Sequence, residues 1–185
     1  MNVALKEWSA VIAALASGMQ TILLRKGGIV EADRGGFHLR HPEFLLFPTF
    51  EHQHRRFVRP EFHEFVDTYA LKPNLTIAYT GLATAIFEAP PEPDLLIAAS
   101  RHFIWNEEFV QQRYRYRPDL PLYIVELRVF ALPEAIAIPN RPSYAGCKSW
   151  VNLTEEFATA SARPVLSNED YALREAELRN LVKLA

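Results

Sequence analysis

Apolar residues recur along this chain in two rhythms. Leu5, Trp8, Ile12 and Leu15 fall three or four apart, which predicts a helix over residues 3–17 with Gly18 as its stop. Residues 21–24 form a short aliphatic, β-branched run and are expected as a strand. Lys26, Gly27 and Gly28 then turn the chain, because paired glycines reach positive φ without steric cost. Residues 29–30 resume the strand, Gly35 and Gly36 turn it again, and residues 37–40 and 44–47 read as two more strands.

Pro60 opens a predicted helix to residue 71, with Phe62, Phe65, Val66 and Tyr69 on one face. Residues 75–88 read as a long strand, bent at Gly81, and residues 89–93 as a rigid proline loop. Asn106 is placed to cap a helix over residues 106–113, with Glu107 and Glu108 in its first turn. Residues 122–132 alternate Tyr123, Val125, Leu127 and Val129 against Ile124, Glu126, Arg128 and Phe130, a strand signature. Residues 133–142 are expected as loop or edge strand, and residues 144–151 as a compact turn entering a short strand. Ser167 with Asp170 forms a capping-box variant that opens a last helix. Tyr171 and Leu178 fall on its apolar face, and Glu175 and Arg179 are spaced as an i,i+4 pair on the exposed side. The order of helix, strands, helix, strands, helix has no βαβ rhythm. It predicts one α+β domain: a mainly antiparallel sheet, curled or closed into a small barrel, flanked by N-terminal, central and C-terminal helices.

Composition narrows what such a domain does. A net charge of −2 gives no global attraction to nucleic acid or membrane, so any such binding comes from a local patch. The apolar run at residues 10–16 is too short to span a bilayer, and a soluble cytoplasmic protein without a membrane partner is expected. The single cysteine, Cys147, excludes an intrachain disulfide and is expected to be an inert thiol despite the adjacent Lys148.

Four groups of residues carry candidate chemistry. Arg25 and Lys26 beside the Gly27–Gly28 backbone can cradle an anion; the alternative is a hairpin turn between solvated charges. Glu51, His52, Gln53 and His54, with His38 and His41, supply ligand types for a divalent metal, although their spacing matches no established site; no cofactor is otherwise expected. Residues 101–117 interleave Arg101, His102, Arg113, Arg115 and Arg117 with Phe103, Trp105, Tyr114 and Tyr116, the cations and aromatics that single-stranded nucleic acid requires. If extended, this run would put Arg113, Arg115 and Arg117 on one face. Glu126 with Asp94 or Asp119 resembles a metal-dependent nuclease pattern, but Arg128 stands where that pattern has its lysine.

Two family resemblances follow from longer motifs. Leu24-Arg25-Lys26-Gly27-Gly28-Ile29-x-Glu31, Phe47-Pro48-Thr49-Phe50-Glu51-His52-Gln53, Leu127-Arg128-Val129 and Tyr144-x-Gly146-Cys147-x-Ser149-Trp150-Val151 together resemble the bacterial domain of unknown function 1802 across almost the whole chain. Some members of that family are associated with restriction-endonuclease-like domains, which implies nucleic-acid work or a defence system; it has no assigned catalytic residues. Residues 8–25 are similar to the opening of ASCH domains, PUA-like barrels in which a helix leads into G-x-K-x-x-E-x-R. Gly18 and Arg25 match that pattern, whereas Gln20 replaces its lysine and Leu23 its glutamate. This likeness implies a PUA-like barrel and, by analogy, RNA or modified-base recognition.

The reading that follows is a nucleic-acid-associated binding module for RNA or DNA. Arg25, Lys26, Gly27 and Gly28 line its groove, Glu51, His52 and Gln53 read the ligand, Lys148 and Trp150 close one side, and Arg113 and Arg115 contact the backbone of the nucleic acid. A restriction-endonuclease-like protein is the implied partner. The alternatives are a metal-dependent nuclease or hydrolase, and a protein-interaction module whose motifs are structural.

Overall fold

The long strand expected over residues 75–88 is β4 (Asn74–Glu88), and it pairs along almost its whole length with β5 (Tyr123–Pro139). The computed structural model describes residues 1–26, 39–66, 73–146 and 148–183, with side chains of the last helix described to residue 180. The expected turns at Gly27–Gly28 and Gly35–Gly36, the strand at residues 29–30, the first half of the strand at 37–40, the later part of the helix at 60–71, and Cys147 lie outside the described residues.

The first departure from the sequence pattern is at the N-terminus. Residues 3–8 form a strand, β1 (Val3–Trp8), and only then does the chain enter a helix, α1 (Ser9–Ala16). Leu5 and Trp8 therefore sit on β1, while Ile12 and Leu15 sit on α1. β1 lies between β3 (Glu43–Thr49), to which it is parallel, and β6 (Trp150–Asn152), to which it is antiparallel. Its buried residues split between two cores: Leu5 packs with α1 and Phe44 on one face, and Ala4 packs with Leu45 and Phe47 on the other. Successive residues of a strand point to opposite faces, so a strand covered on both sides has no polar alternation to reveal it.

With β2 (Ile22–Arg25) and the two-residue β7 (Arg163–Pro164), the seven strands form one mixed sheet. Its order is β2-β5-β4-β3-β1-β6, with β7 beside β5, and every pairing except β1–β3 is antiparallel. Three strands separate β2 from β1 in this order. Yet Arg25 of β2 donates from Nη2 to the Lys6 carbonyl at 3.0 Å and to Glu7 Oε2 at 2.8 Å, both on β1. Only a sheet curled on itself brings those ends together, so the α+β fold is a half-barrel closed at this point by a side chain.

β5 continues through residues 133–139 as an edge strand, one of the two expected alternatives, paired only with β4 among the described residues; Pro133 falls in the register shift between Ile77 and Tyr79, where no ladder donor is needed. Other departures have local causes. β4 is irregular at that shift and between Ala83 and Ala85, not at Gly81. A Cβ at Gly81 would meet the Phe44 ring at 3.3 Å, so the glycine gives room to a core aromatic. Pro60 opens a 3₁₀ turn (Pro60–Phe65), and Pro93 opens a short helix, α2 (Pro93–Ala98), that the proline spacing does not predict. α3 (Glu107–Arg115) and α4 (Asn168–Lys183) lie where expected. Asn106 caps α3, its Oδ1 accepting the Phe109 amide at 3.1 Å, and the Ser167 hydroxyl accepts the Asp170 amide at 3.0 Å ahead of α4. On α4, Tyr171 and Leu178 are buried, and Arg179 donates to Glu175. Among the described residues no helix is long and apolar enough to cross a membrane.

Candidate functional site

The end of β1, the end of β2, the segment after β3, α3 and the loop before β6 enclose a cleft of about 490 Å³. Its inner wall comes from a helical repeat. Trp105, Phe109 and Arg113 are spaced by four, so they share one face of α3 and its entry. Trp105 stacks on Phe109 with centroids 5.2 Å apart, and the Arg113 guanidinium lies 6.0 Å from the Phe109 ring. Trp8, tilted on Phe109 at 5.3 Å, joins this wall from β1, and the exposed Tyr116 stands at its rim.

The opposite wall is polar. Lys6 donates from Nζ to the carbonyls of Tyr144 and Gly146, both at 2.9 Å, and so fixes the loop before β6 against β1. Gly146 takes φ +90°, a conformation in which a side chain would be strained. Lys148 follows it into the cleft and donates to the Ser143 carbonyl. Glu51 lines the cleft with one carboxylate oxygen 4.0 Å from Lys6, and His52 beside it adopts φ +60°, rare for a residue with a side chain. Glu7 accepts from the Trp8 amide and from Arg25, both at 2.8 Å.

Five of the expected site residues line this cleft: Arg25, Glu51, His52, Arg113 and Lys148. The others described are employed elsewhere. Lys26 is buried with its Nζ on the carbonyls of Arg113, at 3.1 Å, and Tyr114, at 2.9 Å. It thus caps the C-terminus of α3, where a cation is favoured by the helix dipole. Burial first, then the neighbouring Arg113, holds its pKa below the ordinary lysine value, with Asp119 partly offsetting. Gln53 caps α1, its Oε1 accepting from Ser9 Oγ at 3.1 Å and the Ala10 amide at 2.9 Å. Trp150 packs edge-on to Phe44 and His41. Arg115 is exposed and donates to Gln111 at 3.1 Å. Residues 107–115 are helical, not extended, so Arg113 and Arg115, two apart, point in different directions. Gly27 and Gly28 lie outside the described residues.

Lys26→Met is therefore expected to lower stability by about 1–3 kcal/mol in urea unfolding, by leaving two helix-end carbonyls without their donor. A change below about 0.5 kcal/mol would contradict the capping role.

Of the residues expected to bind metal, Glu51 and His52 line the cleft, and His38 lies outside the described residues. His54 packs on Phe57 and His41 on Trp150, and no group of three or more metal-ligating side chains gathers among the described residues. Glu126 is fully buried on β5, and burial pushes its carboxyl above the usual carboxylate range, the reverse of what a metal ligand needs. Gln20, at the lysine position of the ASCH pattern, spends its amide on backbone: Nε2 donates to the Ile22 carbonyl at 2.7 Å and Oε1 accepts the Ile104 amide at 3.0 Å. Sequence reasoning misses Lys6 and Glu7 because their strand reads as helix. A strand over residues 3–8 would have placed Glu7 at the mouth of β1, two residues from Leu5 on the same face.

These features define an α+β domain with a curled sheet and a cleft of mixed aromatic and cationic lining. The sequence matches the family described as Domain of unknown function (DUF1802) over residues 4–177, and the chain belongs to that family. No curated protein matches it. Two solved structures are similar over 95% of this chain and 94% of theirs: ASCH from Zymomonas mobilis, at 14% identity and a TM-score of 0.44, and a serine-to-alanine mutant of that same protein, at 13% and 0.45.

Proposed function

We propose that this protein is a nucleic-acid-binding module and that the cleft takes an unpaired nucleotide of RNA or DNA. One observation carries the reading. A chain of net charge −2 gathers four cations, Lys6, Arg25, Arg113 and Lys148, against two carboxylates, Glu7 and Glu51, around a cleft that also offers Trp8 and Tyr116. Local positive charge beside aromatic faces is what an unstacked base and its phosphates require, and the overall acidity disfavours indiscriminate binding along a duplex. Glu51 and His52, at the mouth, would face the hydrogen-bonding edge of the base. A restriction or defence system, with a restriction-endonuclease-like protein as partner, belongs to the same reading through the family resemblance.

Fluorescence anisotropy with labelled single-stranded RNA and DNA of about eight nucleotides tests it. With two or three phosphates neutralised, affinity is expected to fall about 7- to 20-fold between 50 and 200 mM salt. Lys148→Ala is expected to weaken binding and flatten that slope. An absence of binding at 50 mM salt to both nucleic acids would overturn the proposal.

A further inference from the structure

The cations of the cleft are not equivalent. Glu7 is 2.8 Å from Arg25, and Glu51 is 4.0 Å from Lys6, so each lining carboxylate has a nearer cation than Arg113. The last carbonyls of α3 at Arg113 and Tyr114, which would give this end of the helix its negative character, are covered by Lys26. The Arg113 side chain donates no hydrogen bond and forms no ion pair among the described residues, and its Nε is buried without an acceptor. Its neighbours are the rings of Phe109 and Tyr116, the latter 5.8 Å away, and the like charge of Arg25. Burial first and then Arg25 push its pKa down, with Glu7 and Tyr116 partly offsetting, yet a guanidinium stays charged at neutral pH. A planar fork of donors held charged on a cleft wall is matched by an oxyanion that accepts two parallel hydrogen bonds.

We propose, on the reading of the cleft as a nucleic-acid site, that Arg113 forms a phosphate subsite and that the cleft takes a nucleotide bearing a phosphomonoester, its base set against Tyr116. Three observations favour a phosphomonoester over a diester or a carboxylate. The described lining residues hold two more cations than carboxylates, which suits a dianion. The cleft volume of about 490 Å³ is on the scale of one nucleotide. Tyr116 is 41% exposed at the rim, so a base can lie on its face while the phosphate reaches inward. The same chemistry is presented by a 5′- or 3′-phosphorylated strand end and by a free mononucleotide.

Isothermal titration of the whole chain with adenosine 5′-monophosphate and with adenosine tests the subsite directly on the unaltered protein. The monophosphate is expected to bind at least about tenfold more tightly. Arg113→Gln, checked for folding by its thermal transition, is expected to erase that difference, and Arg113→Lys to restore part of it. Equal affinity for nucleoside and monophosphate, or a difference that survives Arg113→Gln, would overturn the proposal. A parallel titration compares one eight-nucleotide RNA with and without a 5′-phosphate and with a 3′-phosphate. Equal binding of all three, with steep salt dependence, would overturn the subsite and leave the nucleic-acid reading standing. Discrimination between the monophosphate and adenosine without binding of any strand would support the subsite, identify a free mononucleotide as the ligand and overturn the nucleic-acid reading.

Discussion

Trp105→Ala is expected to destabilise the protein by about 3–5 kcal/mol in urea unfolding, because it removes the largest fully buried side chain. The indole is 2% exposed. It stacks on Phe109, leans on Phe103 at 5.7 Å, and its backbone bridges Val58. That bridge is extended on each side by the Arg59 amide on the Ile104 carbonyl at 2.9 Å and the Asn106 amide on the Phe57 carbonyl at 3.0 Å. The substitution therefore opens a cavity where the entry to α3 meets the segment after β3. Phe109 would lose its stacking partner, and through Phe109 both Trp8 and the Arg113 side chain would lose their support. A domain has only about 5–15 kcal/mol of stability, so the loss is a large part of the whole. Ligand affinity is expected to fall with it even at temperatures where the variant remains folded. Trp105→Phe, which keeps an aromatic in the stack, is expected to cost less than half as much. A loss below about 1 kcal/mol for the alanine variant would show that the wall is not built around this residue.

The same wall shows how far the sequence can be read. Asn106, followed by two glutamates and an amphipathic run, predicts α3 because capping and periodicity are local. That Trp105, Phe109 and Arg113 share a face follows from the same periodicity once the run is helical. The alternation of tyrosine and arginine at residues 113–117 favours an extended reading instead, and with it the grouping of Arg113 with Arg115. What separates them is long-range: Lys26 caps the helix from a distant part of the chain. β1 reads as helix for a related reason. Its residues are covered by α1 on one face and by the second core on the other, so period 2 is absent and the chance spacing of Leu5, Trp8, Ile12 and Leu15 dominates.

At the cleft, residue chemistry is legible in the sequence but residue employment is not. Lys26 and Gln53 have the side chains of ligand readers, and both serve as helix caps. Nothing in a sequence distinguishes a cation that meets a ligand from one that meets a carbonyl end until the partner element is placed. The convergence of Arg25, Glu51, His52, Arg113 and Lys148 needs the curl of the sheet, which brings β2 against β1. Lys6 and Glu7, which organise that meeting, carry no motif of their own.

A second large effect is expected at Glu126, in the pH dependence of stability. Its carboxylate is fully buried on β5 beneath α4, and neither oxygen has a hydrogen-bond donor within ordinary distance among the described residues. Burial first, and Glu175 next, raise its pKa above the ordinary 4.5, while Arg179 and the Thr84 hydroxyl offset only part. Thr84 is engaged with the Tyr171 hydroxyl at 2.7 Å, and that phenol is itself pushed up to about 12, mainly by burial. A carboxyl whose pKa is raised by folding binds its proton more tightly in the native state. Its contribution to stability is complete below pH 4.5, declines as pH rises and the unfolded chain ionises first, and levels off once the native pKa is passed. Each unit of elevation contributes about 1.4 kcal/mol to that decline. Glu126→Gln keeps the shape and removes the titration. The stability of the natural protein and of the variant, measured by urea unfolding from pH 4 to pH 8, should therefore differ by an amount that shifts steadily in favour of the variant as pH rises from about 4.5 toward neutrality. All other titrating groups are common to both chains and cancel in the comparison. Parallel curves would show that Glu126 meets its charge in the folded protein after all, and the buried acid beneath α4 would then have to be ionised and solvated.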